Sequence, residues 1–415
     1  MRINRQAQVV YTFLKLFFIT DLFFIGYYQN RFTPIGGVAT VLAAVVILLL
    51  FLLILSTGVT IEKVMNPPIL CWLLFAVWAI ITSIINAKDI GSAISSAVVF
   101  FALVFFMMAV SMIIKIDGNL KFLFMVFAAL GTLIAITIVF WGTFRLEGNI
   151  GTYYALSLHS NRNGEAIIMI FGIAGVLYMN RFKRMIPALM SIACICLQFY
   201  AILQGGSRKG AVGVFVLIVL WVILCYRMQF RLYSNWVKFI HVVAWLIMIV
   251  GVIRVAFPWI INSWAVERLF STAGRASSIE REYVQQEAWR YFLSSPLCGI
   301  GYDQVRVYTG IYAHSNPIEV LADTGIIGAI AYYLPFLFIF RELFKKLHYL
   351  GKRTPRTNEI YVQLMFALVL FLVISLYEIE MVSSQDYMTV VMYGVCAAIA
   401  YDNRLSSSIN EVSLN

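Results

Sequence analysis

Long apolar blocks with almost no charge recur along the whole chain. Val38–Gly58 and Ala93–Ile114 are two of them, and each matches the roughly 20 apolar residues that a helix needs to cross a bilayer. Hydrophobic residues make up 62% of the 415 positions and charged residues only 12%, about half the charged fraction of a soluble domain. This supply cannot build both the core and the surface of a soluble protein. The sequence therefore predicts an all-α, polytopic integral membrane protein.

The blocks, taken in order, predict about twelve membrane-spanning helices in one membrane domain, residues 1–415. The third span begins at Pro67-Pro68, which suits the first turn of a helix. One connection, residues 261–324, is far longer than the others, and Ser278–Leu293 within it has the pattern of an amphipathic helix. The chain therefore has one long, structured loop. The predicted spans are 8–28, 38–58, 67–86, 93–114, 120–141, 165–180, 185–204, 209–226, 238–260, 325–341, 358–378 and 386–402.

The distribution of basic residues predicts the orientation in the membrane. The net charge is +11, but Lys and Arg punctuate the apolar blocks and do not collect on a polar domain, which argues against nucleic-acid binding. Most of those outside the spans lie on the side that also holds both termini, and the positive-inside bias makes that side the cytoplasm. We therefore expect both termini inside, with a cytoplasmic tail at 405–415, and the loop 261–324 outside.

Four polar patches fall on the external side, although the orientation was assigned from charge alone. An arginine guanidinium is a rigid, planar group that binds phosphate through two parallel hydrogen bonds and stays positively charged. Arginines in these patches therefore favour a phosphate-bearing ligand, whereas Arg31 and Arg306 are assigned to the interface between membrane and water. The patches are Arg145-Leu-Glu-Gly; His159-Ser-Asn-Arg-Asn163-Gly-Glu-Ala; Gly205-Gly-Ser207-Arg208-Lys-Gly; and the long loop with Arg275, Arg281, Gly299-Ile-Gly301 and His314-Ser-Asn316-Pro-Ile-Glu319.

His314 stands just before a predicted helix start. Asn316 is the expected N-cap, Pro317 the first helical residue and Glu319 the partner in a variant of the capping box. The positive end of a helix disfavours imidazolium, and a neutral imidazole can accept a proton, as a general base must. The alternative is a loop histidine without a catalytic role.

Neither a metal site nor a nucleotide site is predicted. The glycines of the Gly205–Gly210 stretch have P-loop spacing, but Ala211 and Val212 stand where Lys and Ser/Thr are required. In the last external turn, Glu378, Glu380 and Asp386 are spread too widely to form a carboxylate cluster. We therefore expect no cofactor.

Three motifs over roughly residues 140–330 resemble the O-antigen ligase and polymerase superfamily of polytopic bacterial glycosyltransferases. Ser207-Arg208 after a glycine pair is similar to the family's short external Ser-Arg turn. Arg281, fifteen residues before Pro296-Leu-Cys-Gly-Ile-Gly301, is similar to its Arg…Pro-x-x-Gly-x-Gly stretch. The segment from His314 to Gly328 is similar to its His-led segment that ends in two glycines.

The resemblance implies a metal-independent transferase in the bacterial inner membrane, with an external active site and a glycan on undecaprenyl diphosphate as donor. The sequence departs from the family at Arg162, where proline is more usual, and after Arg281, because Trp289 lies further along than the usual tryptophan. The resemblance implies His314 as the base on the acceptor hydroxyl, Arg145, Arg208 and Arg281 as diphosphate ligands with Arg275 as the alternative loop arginine, and Asn163, Ser207, Asn316 and Glu319 as supporting residues.

The function expected first is a polymerase that joins lipid-linked oligosaccharide repeat units into a surface polysaccharide, such as O-antigen, capsule or exopolysaccharide. The alternative is a ligase that moves finished glycan from the lipid carrier to another acceptor. A transporter of lipid-linked sugars should carry ionisable residues in mid-membrane and often shows internal repeats, but only Lys15, Asp21 and Arg254 come near this description. The expected partners are the lipid-linked donor, a glycan acceptor and membrane lipids, with a chain-length regulator and a flippase as candidates and no nucleic acid.

Overall fold

The computed structural model describes residues 4–28, 33–58, 64–147, 152–156, 162–179, 185–226, 272–353, 359–378 and 387–402. Within these ranges the chain is almost entirely helical, and a π-helical turn, Trp221–Tyr226, extends the eighth helix. The helices are α1 (Arg5–Tyr28), α2 (Thr33–Thr57), α3 (Pro67–Asn86), α4 (Ile90–Asp117), α5 (Lys121–Trp141), α6 (Arg162–Met179), α7 (Met185–Gln204), α8 (Arg208–Leu220), α9 (Thr272–Ser294), α10 (Gln304–Thr309), α11 (Asn316–Arg353), α12 (Glu359–Glu378) and α13 (Tyr387–Ala400).

Eight of the described helices are long and apolar enough to cross a bilayer, and shorter apolar segments occupy α2, α8 and α13. Each predicted span coincides with one of these helices except the ninth, 238–260, which lies outside the described residues. The third span begins where the proline pair predicts, and the Asn66 side chain caps it by accepting the N–H of Ile69 at 3.0 Å. The prediction of an all-α polytopic membrane protein is confirmed.

The tenth predicted span, 325–341, begins at the residue where the structure has a break, but it ends too early. Helix α11 begins at Asn316 and ends at Arg353, and a non-helical Gly325 (φ 67°, ψ −172°) divides it. The part before Gly325 belongs to the long loop. The part after it continues past Arg341 because Leu343, Leu347 and Leu350 keep helical spacing and are buried. His348, predicted in a cytoplasmic loop, therefore lies on this helix.

A small hairpin follows α5, where the sequence predicted only a connecting patch. Strands β1 (Thr143–Glu147) and β2 (Thr152–Leu156) pair antiparallel, with Arg145 opposite Tyr154. Threonine and aromatic residues, which favour strands, make up half of the ten residues in the two segments. The hairpin therefore contains Arg145 and precedes α6 in the chain.

Helices α5 and α6 pack unusually closely because glycines face each other across their contact. A Cβ built on Gly172 would lie 3.0 Å from the Cα of Gly131, and one built on Gly175 would lie 2.3 Å from the carbonyl oxygen of Phe124. Small residues at such contacts let membrane helices approach through van der Waals packing. This contact fixes α6, whose first turn carries Arg162 and Asn163.

The long loop has a hydrophobic core of its own outside the bundle. One face of α9 is buried on α10 and the first turns of α11, while its other face is exposed. The predicted helix at Ser278–Leu293 is therefore present within α9, and its amphipathic pattern faces this second core. The buried members, called here the loop core, are Val284, Ala288, Phe292, Ile300, Val305, Ala313 and Ala322.

Candidate functional site

The Gly299-Ile-Gly301 motif of the long loop is attached to α11 by hydrogen bonds between backbone groups. Ile300 N–H donates to Ala322 O at 3.0 Å and Gly301 N–H to Asp323 O at 2.9 Å. Gly299 and Gly325 both have positive φ, and a Cβ would lie 2.4 Å from Asp323 O at the first and 2.3 Å from Leu297 O at the second. Both glycines are therefore required, because any side chain would push the two segments apart. Two of the three sequence motifs thus form one structural unit.

The Asp323 carboxylate fixes the start of α10 in the same unit. It accepts the backbone N–H groups of Asp303, Gln304 and Val305 at 2.7, 3.1 and 3.0 Å, and so satisfies donors that a helix N-terminus leaves open. Asp303, at φ 61°, accepts from Ser96 Oγ at 2.8 Å and forms a 2.6 Å ion pair with Arg306. Arg306 therefore has a structural partner in Asp303. The sequence likewise does not assign Arg306 to the phosphate ligands.

The backbone beside His314 is held from both sides. The N–H of Ala313 donates to Glu319 Oε2 at 2.7 Å, and its carbonyl accepts from Gln285 Nε2 of α9 at 3.2 Å. His314 itself has a φ of 53°, a left-handed conformation that is rare for residues with a side chain. Such strain persists where the surroundings over-determine it, and it concentrates at functional sites.

The predicted capping box does not form. Helix α11 begins at Asn316 itself, and Glu319 reaches back to Ala313 instead of to the N–H of Asn316. The left-handed turn at His314 brings Ala313 over the first turn of α11, and this explains the exchange of partner. Glu319 holds the peptide group next to His314, and its role as a supporting residue of the site stays a prediction.

The pKa of His314 is lowered from 6.5 to about 4, chiefly by burial and also by the charges of Arg281 and Lys209. The imidazole is therefore neutral at pH 7, in the direction that the sequence predicts. The cause of the lowered pKa differs from the predicted one. Burial and the charges of Arg281 and Lys209 lower it, whereas the sequence predicted an effect of the positive end of a helix. The Tyr312 ring packs against the imidazole with ring centroids 4.2 Å apart.

Cations from three of the four polar patches meet around this pair of rings. Arg281 of α9 and Lys209 of α8 act on the pKa of His314. Burial raises the pKa of Tyr312, and the charges of Arg281 and Arg162 oppose that rise. We call Arg162, Lys209 and Arg281 the cation cluster. The Nε of Arg281 is buried and has no hydrogen-bond partner in the described part of the chain, which is uncommon for a native buried donor.

Sequence reasoning chose only one member of this cluster. Lys209 follows the predicted Arg208, and Arg162 precedes the predicted Asn163, so their places in the two patches were the only signal. The side chains of Arg145, Arg208 and Arg275 lie outside the described part of the structure, and their predicted roles stay predictions. Arg275 and Arg281 both belong to α9 and are six residues apart in the sequence.

Ser207 and Asn163 connect the two short patches directly. The Ser207 hydroxyl donates to Asn163 Oδ1 at 2.9 Å and accepts the N–H of Gly210 at 3.1 Å. Ser207 is fully buried and is the N-cap of α8. These two predicted supporting residues thus hold the start of α8 against the start of α6, next to the cation cluster.

A buried network of polar side chains behind the site was not predicted from the sequence. Asn316 donates its side-chain N–H to Glu378 at the end of α12 and to the Tyr333 hydroxyl at 3.1 Å. The Glu378 carboxylate also accepts from the hydroxyls of Tyr333, at 3.3 Å, and of Tyr393. The only available signal was a carboxylate at the end of an apolar span, which the sequence analysis treated as part of a dispersed turn.

Comparison with known proteins gives two matches. Residues 192–333 match the family model described as O-antigen ligase, a range that contains Ser207, Arg281 and His314. The teichuronic acid biosynthesis protein TuaE of Bacillus subtilis (strain 168) is 24% identical over 244 residues, which are 54% of this chain and 48% of that protein. The chain thus spans about half the length of this curated relative. The resemblance to the O-antigen ligase and polymerase superfamily is confirmed.

Proposed function

Starting from the O-antigen ligase match, we propose that this chain is a glycosyltransferase of polysaccharide assembly, and specifically a polymerase of lipid-linked repeat units. The observation that carries the proposal is the juxtaposition of a neutral His314 with the Arg281 guanidinium and the rest of the cation cluster. A base beside a phosphate-binding surface is what transfer from a glycosyl diphosphate requires.

The cation cluster supports a diphosphate as the charged part of the donor. Within the described residues, the Nε of Arg281 is a buried donor without a protein partner, and Lys209 and Arg162 add positive charge around the same rings. Charge-assisted hydrogen bonds to phosphate are about twice as strong as neutral ones. Arg208 and Arg145 are proposed as further ligands, and Arg275 is the alternative to Arg281.

The transfer step follows from these positions. As the acceptor hydroxyl attacks the anomeric carbon of the donor sugar, His314 takes the hydroxyl proton. A new C–O glycosidic bond forms, the bond from the anomeric carbon to the diphosphate oxygen breaks, and undecaprenyl diphosphate leaves with the electron pair. The cation cluster stabilises the charge that develops on that oxygen. In the proposed mechanism these cations perform the charge stabilisation that a metal ion provides in other transferases.

Donor binding strengthens the base in this scheme. Burial, together with the charges of Arg281 and Lys209, lowers the pKa of His314 to about 4. A bound diphosphate carries negative charge into the same surroundings, so it offsets the effect of the two cations and raises the pKa of His314. A general base works best when its pKa lies near the working pH.

The ionisable residues within the spans favour an enzyme over a transporter. Lys15 forms a 2.8 Å ion pair with Asp117 and lies 3.8 Å from the centroid of the Phe122 ring. Asp21 accepts from the Tyr387 hydroxyl at 2.9 Å. Lys15 and one oxygen of Asp21 therefore have structural partners between helices, whereas Asp21 Oδ1 has none within the described residues. Arg254 lies outside the described residues.

A ligase that transfers finished glycan to another acceptor is the second candidate. The description of the matched family, O-antigen ligase, favours it, whereas a relative named for teichuronic acid biosynthesis favours a role in making the polysaccharide. In either case we place both termini in the cytoplasm and the site on the external face of the bacterial inner membrane. A chain-length regulator and a flippase are proposed partners.

One assay separates these functions. The purified full-length protein is reconstituted into liposomes with lipid-linked repeat units, and the products are separated by size. A ladder of longer lipid-linked glycans supports the polymerase, and transfer only to an added second acceptor supports the ligase. Movement of the lipid-linked sugar across the bilayer without any new glycosidic bond would overturn both.

A further inference from the structure

The outer side of α9 forms a cleft that the proposed catalytic groups do not use. It lies between α9 and the first turn of α11 and has a volume of about 430 Å³, within the usual range for small-ligand sites. Trp289 is 46% exposed there, although it is large and apolar. The lining residues are Glu282, Gln285, Gln286, Trp289, Arg290 and Ile318.

The charges in the cleft disfavour a phosphate. Among the described lining residues, the only cation is Arg290, which forms a 2.6 Å ion pair with Glu287, and Glu282 adds a further negative charge. The cleft is therefore neutral to negative, the reverse of the cation cluster. A second diphosphate or an acidic sugar would be repelled here.

The remaining groups fit a neutral, hydroxyl-rich ring. The indole of Trp289 offers an apolar face with a polar N–H, and such aromatic groups hold ligands that are apolar on one side and polar on the other. The amides of Gln285 and Gln286 and the carboxylate of Glu282 supply both donors and acceptors for hydroxyl groups. We propose that this cleft is a glycan subsite that binds uncharged sugar residues of the repeat unit.

The position of the cleft connects it to the candidate site. Gln285 lines the cleft and also donates to the carbonyl of Ala313, next to His314. Ile318, on the opposite wall, lies in the first turn of α11, four residues after His314 in the sequence. A sugar chain that reacts at His314 can thus continue into the cleft while the cation cluster holds the diphosphate. This inference rests on the proposed function, and the sugars belong either to the donor or to the acceptor.

The first test measures binding without any transfer. The probe is the free oligosaccharide released by mild acid from the host's lipid-linked repeat units, titrated calorimetrically into the purified full-length protein. Trp289→Ala should weaken binding about tenfold, and Trp289→Phe, which keeps an aromatic face, should recover most of it. Tyr283→Ala is the matched control, because Tyr283 is exposed on the same helix and does not line the cleft.

The outcomes of this titration are distinct. Selective weakening in Trp289→Ala supports the subsite. No binding to the wild type at millimolar oligosaccharide, equal binding by Trp289→Ala, or an equal loss in Tyr283→Ala overturns it. Equal binding would leave Trp289 as an aromatic anchor at the membrane interface.

The transfer assay then identifies the source of the sugar and separates the two proposals. A rise in KM for the lipid-linked donor alone assigns the cleft to the donor, and a rise for the acceptor alone assigns it to the acceptor. Binding through Trp289 by a protein that forms no glycosidic bond keeps the subsite and overturns the proposed function. Transfer with both KM values independent of Trp289 overturns the subsite and keeps the function.

Discussion

Asn316 donates its side-chain N–H to the buried carboxylate of Glu378, 62 residues further along the chain. This bond joins the first residue of α11, two residues after His314, to the end of α12. The hydroxyl of Tyr393 on α13 donates to the other oxygen of the same carboxylate. The backbone that presents His314 is therefore supported by the two C-terminal helices as well as by the long loop.

Glu378→Gln should lower kcat by about tenfold or more and leave KM for the donor nearly unchanged. A glutamine keeps the volume but has one acceptor oxygen where the carboxylate has two, so donors on α11 and α13 lose a partner. Tyr393→Phe removes a single donor and should have a smaller effect. Steady-state kinetics in detergent, together with melting temperature, checks this. A rise in KM without a fall in kcat would contradict a positioning role for Glu378.

His314→Asn should reduce turnover by about 10²–10⁴-fold, the usual contribution of a positioned base. Asparagine tolerates the left-handed conformation of residue 314 better than alanine does, so this variant removes the base with little change in the backbone. Retention of the lipid-linked donor should remain close to wild type, because the cation cluster holds it. His348→Asn, an exposed histidine on α11, is the control. Full activity in His314→Asn would mean that the hydroxyl needs no base.

Arg281→Lys should lose most of the transfer activity, and Arg281→Ala should lose nearly all of it. Lysine keeps the charge but cannot supply the planar fork of donors or occupy the place of the buried Nε. Arg341→Lys, an exposed change on α11, should leave transfer unchanged. Donor retention and turnover are measured for all three variants. Near-normal transfer by Arg281→Lys would show that Arg281 supplies only charge.

The pH dependence should differ between the free and the donor-bound protein. His314 accepts a proton only when neutral, so activity falls as the pH drops through its pKa. The profile of kcat/KM reports the free protein, in which that pKa is about 4. The profile of kcat reports the donor-bound state, in which the diphosphate raises the pKa, so its acid limb should lie at higher pH. Lys209→Met should move the kcat/KM limb upwards, because it removes a charge that lowers the pKa. If the acid limbs of the kcat and kcat/KM profiles lie at the same pH, this would argue against coupling between His314 and the diphosphate.

The sequence predicted those parts of the structure that depend on local pattern. Each span needs only its own run of apolar residues, and the amphipathic part of α9 needs only its own spacing. Glu319 was misassigned because its partner, Ala313, becomes reachable only after the left-handed turn at His314. Lys209 and Glu378 were missed because their proximity to the site is set by packing between distant helices.

Gly325→Ala should destabilise the protein and lower transfer, because Gly325 meets the long loop where no Cβ fits. Its φ is 67°, and a Cβ would lie 2.3 Å from the carbonyl oxygen of Leu297. We expect a loss of about 1–3 kcal/mol from overpacking, added to the strain of an alanine at φ 67° and ψ −172°, a conformation that essentially only glycine adopts. Gly310→Ala is the control for an alanine at positive φ without a clash, because Gly310 is in the left-handed helical region (φ 83°, ψ −18°) and nothing lies within 4 Å of the added Cβ. It should show the backbone strain alone, about 1–2 kcal/mol. Melting temperatures in detergent compare the two variants, and equal losses would show that the contact between the two glycine motifs adds nothing to stability.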